Sequence, residues 1–462
     1  MLHISRTFYL LVPVVMPLVP LLGLFFIPQT QRRRRLITGG LLFTLIFSLI
    51  ATDLQGNFVM GTLGGMEWGL LGTPDSAILS VVLAGLLSLA GIFGFEVLEG
   101  QERRYYMAFL GMFAAVQALL CAGSLPQLLL CWLAAVLCCD VLVQRKPKRL
   151  VLYRIGTLVS GLLLLAGAVV THTSGLSLQF LPQESTTAPV LPALLLIVGF
   201  AVHALTCQSI PAEAPSTVVL YIGLSSLDLY SVMRILQMLF GTEALMGSPV
   251  QTILSPLFLA VALVAGVAAL RCKTLISCLR CLAMSQSGLI LFGLCGLTQD
   301  LFVGAFLLLV FGAVCMTSLL LCAAAFRYTQ GKALIRDLEG IGRQMPLALF
   351  CFGCAAFGLV GLPPFVGSVS RWYMTRGVLG SAAWGMIAAI ILLVLSGLAA
   401  LVLLWPLSRG FFPGEDYEPD TKIHYGPCVG LPIAVLTAIL LVAGLMPLHL
   451  LQWISTAGGL HV

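Results

Sequence analysis

The stretch of residues 339–374 constrains the fold of this chain more than any other. An apolar run in this stretch is interrupted by Gly361-Leu362-Pro363-Pro364, and Gly367 follows. Two consecutive prolines remove two backbone donors and crowd the preceding turn, so a regular helix cannot continue through them. In a membrane, the carbonyl groups freed by such a break need protein or water as partners. We therefore predict a membrane helix that is broken between Gly361 and Gly367, with the break facing protein or a wet cavity.

Arg371 follows this break by about two turns of helix. A charged side chain at membrane depth is costly, which makes Arg371 a candidate functional residue. The alternative is a simple proline kink with an arginine that extends to the membrane interface. The pattern of the helix alone favours neither interpretation.

The composition is that of an integral membrane protein, with 60% hydrophobic and 9% charged residues. At about 20 apolar residues per span, the sequence predicts an all-α, polytopic membrane protein with 14 transmembrane helices. The longest polar inserts, 53–76 and 409–427, are expected as loops. The predicted spans are 8–28, 36–52, 77–97, 105–122, 126–143, 150–171, 188–207, 216–239, 251–270, 274–297, 300–326, 346–374 with its break, 382–405 and 428–448.

The positive charges predict the orientation of these helices. Clusters such as Arg32–Arg35, Arg145–Arg149 and Arg327–Arg343 all follow odd-numbered helices, whereas connections after even-numbered helices carry almost none. Arg376 is the exception. Because positively charged connections stay in the cytoplasm, we expect both termini on the non-cytoplasmic side of the inner (cytoplasmic) membrane. The excess charge lies in connections, so no nucleic-acid partner is expected.

The broken stretch resembles the antiporter-like, proton-conducting membrane subunits of respiratory complex I. Their relatives are subunits of multisubunit sodium/proton antiporters, membrane-bound hydrogenases and formate hydrogenlyases. The residues that carry the resemblance are Gly340, Arg343, Met345-Pro346, Gly361-Leu362-Pro363-Pro364 and Gly367. Arg371 stands where the family has lysine or glutamate. Because the chain stops soon after helix fourteen, it looks like an N-, M- or D-type member.

The resemblance implies a specific architecture. A single membrane domain (1–462) is expected to contain two inverted five-helix repeats, at about 105–240 and about 251–405. Flanking helices are expected in 1–104 and 428–462. Helix twelve is expected to be broken, and helix eight as well, where Pro211 and Pro215 bracket its start. Interrupted helices in two halves typically mark a site at a repeat interface.

The family also carries protons on ionisable residues in helices five, seven, eight, eleven and twelve, and the resemblance places their equivalents here. In helix five the glutamate falls at Leu133 or Ala134, and the nearest acid is Asp140. Asp140 is either a displaced proton carrier or an acid at the helix end that pairs with Arg145 or Lys146. In helix seven the lysine falls at His203.

Helices eight and eleven depart further from the family. The lysine of helix eight falls at Ser225 or Ser226, and the charges that this helix offers instead are Asp228 and Arg234. These two are six residues apart and do not share a helix face, so Asp228 needs a partner on another helix or water. In helix eleven, Phe311 and Cys315 replace the histidine and the lysine.

His203 has two interpretations. Histidine titrates near neutral pH and could relay protons where the family has lysine. A single histidine in an apolar helix is otherwise a buried, hydrogen-bonded residue. The candidate proton-path residues are Arg371, His203, Asp228, Asp140 and Arg234.

Three functions are compatible with this pattern. The first is an antiporter-like subunit of a complex I-related respiratory or hydrogenase complex, with a degraded proton path and sister membrane subunits and lipid as partners. The second is a working proton or sodium translocator with rearranged carriers. The third is the membrane component of a two-component ion or inorganic-carbon transporter. A redox enzyme is disfavoured, because neither an axial histidine pair nor an iron–sulfur cysteine set is present. No catalytic residue, cofactor or metal is expected in this subunit.

Overall fold

The computed structural model describes residues 8–27, 29–52, 56–63, 66–98, 102–143, 151–180, 189–209, 218–331, 334–380, 384–412 and 426–445. Nearly all of them are helical. The first helices are α1 (Tyr9–Phe26), α2 (Thr30–Ala51), α3 (Pro74–Val97), α4 (Glu102–Leu120), α5 (Leu125–Val143), α6 (Val151–Thr173), α7 (Val190–Thr206) and α8 (Val218–Phe240). The others are α9 (Val250–Ala269), α10 (Leu275–Cys295), α11 (Gln299–Gln330), α12 (Pro346–Val360), α13 (Gly367–Leu379), α14 (Gly385–Phe411) and α15 (Pro427–Leu445).

Eleven helices of the described residues are long and apolar enough to cross a membrane. The predicted all-helical, multi-pass membrane protein is thereby confirmed. Of the remaining predicted spans, 105–122 corresponds to α4, 188–207 to the shorter α7, and 346–374 to α12 and α13 together. The count of 14 spans stays a prediction.

The chain forms two compact units, the first mainly from residues 1–211 and 219–248 and the second mainly from residues 249–450. The change from one unit to the other near Pro249 falls between the two predicted repeats. The repeats themselves, and the single domain, stay predictions.

Two helices lie in the interior of their units. The most apolar window of α8 is 100% buried and that of α11 is 94% buried, whereas the windows of α1, α2 and α6 are 28% buried. An enclosed helix can hold polar and ionisable side chains away from lipid. In α8 the turns at Tyr221–Ser225 and Ile235–Phe240 are wider π-helical turns, which often occur at functional sites. The helix continues without a break from Val218, and the prolines at 211 and 215 lie outside the described residues.

In the second unit, one helix ends before the double proline and another begins after it. α12 ends at Val360, and Gly361 has a φ of +88°, which favours glycine. The amide of Gly361 donates to the carbonyl of Gly358 at 3.2 Å, and the amide of Leu362 donates to Phe357 at 3.1 Å. This Schellman arrangement satisfies carbonyls at the helix end with protein groups.

The next helix, α13, begins at Gly367 and lies directly against the end of α12. A Cβ on Gly367 would overlap the carbonyl oxygen of Gly358. The contact therefore requires glycine at position 367. In the turn between the two helices, the peptide bond between Pro363 and Pro364 is cis.

The connections that carry positive charge meet at one end of the second unit. The amide of Ile335 donates to the carbonyl of Lys273 at 3.1 Å, and Arg409 donates to Glu339 at 2.6 Å. Three basic connections of the second unit thus share one end, and the side of the membrane on which they lie stays a prediction. Arg376, the exception in that pattern, donates from Nε to Asp300 at 2.7 Å, so that a carboxylate offsets its charge.

The first unit contains the only two β-strands among the described residues. Strands β1 (Gly56–Leu63) and β2 (Met66–Gly72) form an antiparallel hairpin inside the polar insert that was expected as a loop. A bridge joins Leu70 to Ala122, which lies in the connection between α4 and α5. The hairpin is thereby tied to the ends of the helices of its unit.

Candidate functional site

Asp228 and His203 form a hydrogen-bonded pair in the interior of the first unit. Nδ1 of His203 lies 2.7 Å from Oδ2 of Asp228, and the indole N–H of Trp132 donates to Oδ1 at 2.8 Å. The side chains of His203 and Asp228 are both fully buried. Each oxygen of the carboxylate therefore has a nitrogen partner, one from α7 and one from α5. Such pairing is what a buried carboxylate requires.

Aromatic rings surround the imidazole of His203. The ring of Trp132 meets it edge-on at a centroid distance of 5.0 Å, and the ring of Tyr153 lies 6.1 Å away. Nε2 of His203 is buried and has no hydrogen-bond partner among the described residues. Since Asp228 holds Nδ1, Nε2 is the ring nitrogen of His203 that is left without a protein partner among the described residues.

Close contact between α6 and α7 sets the position of His203. The hydroxyl of Ser160 donates to the carbonyl of Gly199 at 2.8 Å. A Cβ on Gly199 would lie 2.9 Å from the side chain of Leu164, and one on Gly156 would lie 2.6 Å from the hydroxyl oxygen of Thr206. Small residues of this kind let membrane helices approach closely, and here they hold α7 where its histidine reaches Asp228.

Arg234 lies on the same helix as Asp228 but binds a different set of groups. Its guanidinium donates to the carbonyl oxygens of Leu120 at 2.8 Å and Ala122 at 2.6 Å. It also donates to Leu71 at 3.2 Å, and it lies over the ring of Phe180 at 5.2 Å. Arg234 therefore links the β-hairpin to the connections between helices at one end of the first unit.

Asp140 lies apart from the buried pair. Its side chain is 44% exposed and lies 3.8 Å from Arg154. Asp140 thus has the surroundings of an acid at a helix end that pairs with a basic residue. The basic residue is Arg154, and not Arg145 or Lys146 as the sequence suggests. The basic residues at 145 and 146 lie outside the described residues.

Arg371 lies at the helix break in the second unit. Its Nη2 approaches the carbonyl of Leu359 at 3.5 Å, near the end of α12. Its Nε and Nη1 are buried and have no partner in the part of the chain that the structure describes. The partial negative charge at a helix C-terminus favours a cation at this place.

The family model described as NADH:quinone oxidoreductase/Mrp antiporter, TM matches residues 122–398, which is more than half of the chain. The chain belongs to this family. It is 25% identical over 379 residues to NADH-quinone oxidoreductase subunit N of Desulforudis audaxviator (strain MP104C), covering 75% of this chain and 74% of that protein.

Two solved structures share the fold of this family member. A chain of the Mrp complex from Dietzia sp. DQ12-45-1b superimposes with a TM-score of 0.79 at 19% identity, covering 96% of this chain and 97% of the other. A chain of respiratory complex I from Thermus thermophilus with bound NADH superimposes with a TM-score of 0.76 at 18% identity, covering 98% of both chains. These structures show the fold, and the match to the family model confirms the predicted family.

The NADH:quinone oxidoreductase/Mrp antiporter resemblance places a glutamate of helix five at Leu133 or Ala134. In the structure both of these residues are exposed, and the adjacent Trp132 is the residue that reaches the buried pair. In helix eight, Ser225 is buried and accepts a hydrogen bond from Gln208 at 2.8 Å. Among the described residues, the side chains that bind Asp228 are thus Trp132 and His203.

Two buried polar residues were missed by the sequence reasoning. The indole N–H of Trp132 would have been a usable signal, because a buried tryptophan needs an acceptor. Asp75 lies in the first turn of α3 with 7% exposure, hydrogen-bonded to Gln237, and its Oδ1 has no partner among the described residues. It was assigned to the polar insert 53–76, where no burial is expected, so the sequence offered no signal for it.

Proposed function

We propose that this chain is an antiporter-like membrane subunit of a multisubunit, complex I-related assembly. In this proposal it docks against sister membrane subunits, holds a proton-binding pair in its first unit, and has no complete proton path of its own. It lies in the inner membrane with both termini on the non-cytoplasmic side, and it has no cofactor. The observation that carries the proposal is the apolar interior of α11.

α11 lacks any Asp, Glu, Lys, Arg or His between Asp300 and Arg327. Cys315 and most of the helix around it are buried. The hydroxyls of Thr317 and Ser318 donate to carbonyls of their own helix. A file of protons needs ionisable groups or bridging water, and an apolar helix interior excludes both.

Arg371 supports the same conclusion. A guanidinium stays protonated in proteins, so it cannot pass on a proton by titrating. A fixed positive charge in a pore also raises the barrier for protons and other cations. In this proposal the second unit keeps the break between α12 and α13, and its central helix α11 lacks the ionisable groups that would carry a proton between Asp300 and Arg327.

A second candidate function is a working proton translocator with rearranged carriers. The open Nε2 atom of His203 favours it, because a buried histidine held by a carboxylate can relay protons. The two candidates differ in whether protons cross the membrane through this subunit.

The test uses the whole assembly purified from its own membrane and reconstituted into vesicles. Proton uptake per substrate turned over is measured for the wild type and for His203→Gln, Cys315→Ala and Arg371→Ala, with a native gel for each. We expect unchanged proton yield for His203→Gln and Cys315→Ala. We expect Arg371→Ala to lower the amount of intact assembly, because it removes the cation that faces the C-terminal end of α12.

Normal assembly with a lower proton yield in the His203 or Arg371 variant would show conduction through this subunit and overturn the proposal. Copurification provides an independent check on the partners. Several membrane subunits of this fold should copurify with the chain, whereas a single soluble partner would indicate a two-component transporter instead.

A further inference from the structure

Two cysteines of the second unit lie side by side near one end of its helices. Cys272 lies in the connection between α9 and α10, and Cys281 lies in the second turn of α10. Their Sγ atoms are 3.7 Å apart, and both side chains are partly exposed. They belong neither to the buried pair of the first unit nor to the helix break, so the proposed function does not use them.

The turn between α9 and α10 sets the position of Cys272. The amide of Cys272 donates to the carbonyl of Ala269 at 3.2 Å, in the turn that follows α9. Two residues later, the hydroxyl of Thr274 accepts a hydrogen bond from the amide of Ser277 at 3.3 Å and caps the start of α10. The chain thereby reverses direction, and the second turn of α10 passes beside Cys272.

Cys278 belongs to the same cluster but has a different environment. Its side chain is 3% exposed, and its thiol donates to the carbonyl of Ala269 at 3.3 Å. Cys281 lies one turn further along α10, where its sulfur faces that of Cys272. Exchange with a small molecule requires access to the sulfur, so Cys272 and Cys281 are the reactive candidates and Cys278 is not.

The geometry allows a covalent bond between the two exposed sulfurs. A disulfide bond is about 2.0 Å long, so the sulfurs have to approach each other by about 1.7 Å. Rotation between side-chain rotamers moves a cysteine sulfur by more than this. Cys272 also lies outside the helices, so its backbone can adjust without loss of a helical hydrogen bond.

Positive charge is concentrated near this pair. Arg271 and Lys273 flank Cys272 in the chain, and both are exposed. The amide of Ile335 donates to the carbonyl of Lys273 at 3.1 Å, which brings a second basic connection with the exposed Arg336 to the same end. Such a surface attracts a negatively charged reactant and repels a positively charged one. The oxidant that suits this pair is therefore an anionic small molecule.

We propose that Cys272 and Cys281 form a reversible thiol–disulfide modification site whose reactant is an anionic, low-molecular-weight disulfide of the glutathione class. The thiolate of Cys272 attacks one sulfur of this disulfide, whose S–S bond breaks and releases a small thiolate. The thiolate of Cys281 then attacks Sγ of Cys272 and displaces the second small thiolate. The two released thiolates take up the protons that the cysteines lost. The cysteines are oxidised by two electrons, and the small disulfide is reduced to two thiols.

The compartment determines the resting state of this site. In the proposed orientation this end of the second unit faces the cytoplasm, where small thiols keep cysteines reduced. The pair is then a dithiol at rest, and it closes when the small disulfide accumulates. The closed form ties the connection after α9 to the second turn of α10.

The test uses the whole assembly, purified under reducing conditions and then freed of reductant. It is incubated with glutathione disulfide, or with cystamine as a cationic disulfide, and the remaining thiols are blocked with N-ethylmaleimide. Peptides from a digest without reductant are identified by mass spectrometry. Trypsin cleaves after Arg271, Lys273 and Arg280, so each cysteine of this cluster lies in a different peptide.

We expect glutathione disulfide to link Cys272 to Cys281 in the wild type, and dithiothreitol to release the link. Cys281→Ser should stop the reaction at a glutathione adduct on Cys272, because the second thiol is absent. Cys272→Ser should form no link, and Cys278→Ser is the matched control that should keep it. A native gel ensures that variants are compared at equal amounts of intact assembly.

Lys273→Gln tests the role of the positive charge. It should slow the reaction with glutathione disulfide by about two- to fivefold, the range for one exposed charge, and should not slow the reaction with cystamine. Equal slowing of both reagents would overturn the preference for an anionic reactant.

A second pair of cysteines separates proximity from access. Cys322 and Cys351 are hydrogen-bonded to each other and fully buried in the second unit, so glutathione disulfide should leave them unlinked. Absence of the link between Cys272 and Cys281 in the wild type would overturn the proposal. So would a link from Cys272 to Cys278 in its place, or linking of the buried pair at the same rate.

Discussion

His203 and Asp228 are 25 residues apart in sequence, and their side chains meet at 2.7 Å in the interior of the first unit. Trp132 occupies the remaining carboxylate oxygen from a third helix. The pair therefore joins α5, α7 and α8 through one carboxylate. This carboxylate therefore stabilises the packing of three helices, whether or not it also takes part in proton transfer.

The first prediction concerns the stability of this pair. Asp228→Ala should destabilise the protein by about 3–5 kcal/mol, because it leaves a buried histidine without its partner. Asp140→Ala should cost at most about 1 kcal/mol, since Asp140 is exposed and 3.8 Å from Arg154. Thermal denaturation of the solubilised protein measures both. Equal losses in the two variants would contradict the assignment of the buried pair.

Trp132→Phe isolates the second hydrogen bond of Asp228. Phenylalanine retains an aromatic ring and lacks the N–H group, so the loss should be about 1.5–3 kcal/mol, as for a hydrogen bond to a charged group. The same denaturation measurement applies. Combined with Asp228→Ala, the tryptophan change should add little further loss, because its acceptor is already gone. Full additivity would place Trp132 outside the cluster.

Arg234→Met should destabilise the hairpin end of the first unit. Methionine keeps the apolar stem but leaves three carbonyl oxygens without this donor, at about 1–3 kcal/mol for each one that stays buried. Proteolysis of the hairpin 56–72 in detergent, followed over time, reports the local loss. Arg154→Met removes an exposed arginine of the same unit and should leave the cleavage rate unchanged. A similar rate in both variants would mean that Arg234 does not tie this end.

Gly367→Ala tests the contact at the helix break. The new methyl group would overlap the carbonyl oxygen of Gly358, so α13 would have to move away from α12. We expect a lower melting temperature and less intact assembly on a native gel. Gly397→Ala is the matched control, because a Cβ there meets nothing within 4 Å, and alanine is the better helix former by about 1 kcal/mol. Equal melting temperatures and equal amounts of intact assembly in the two variants would show that α13 does not need to approach α12 closely at Gly367.

Labelling with a membrane-impermeant thiol reagent tests the orientation. Ser174→Cys and Lys273→Cys place thiols at exposed positions in connections of opposite predicted side. In intact cells the reagent should modify position 174 and not position 273, and opened cells should allow both. Labelling of the protein without either substitution measures the background from its native cysteines. The reverse pattern would overturn the topology drawn from the positive charges.

The sequence by itself determined the class of this protein and much of its local structure. Apolar runs of membrane-spanning length admit few folds other than a helical bundle, because backbone groups in hydrocarbon need internal partners. The prolines at 363 and 364 act locally, so the end of α12 at Val360 could be predicted from the residues alone. The spacing of motifs around the same break was sufficient to predict the family.

Only the tertiary structure decided which polar side chains meet. Sequence periodicity shows that Asp228 and Arg234 face different directions, yet it cannot show what lies opposite each of them. The family pattern places its glutamate at Leu133 and not at the neighbouring Trp132. A shift of one residue changes the direction of a side chain around the helix by about 100°, so the pattern did not indicate Trp132. The partners of Asp228, Arg234 and Asp75 come from helices and connections distant in sequence. Such contacts depend on how helices pack, which no local pattern of residues encodes.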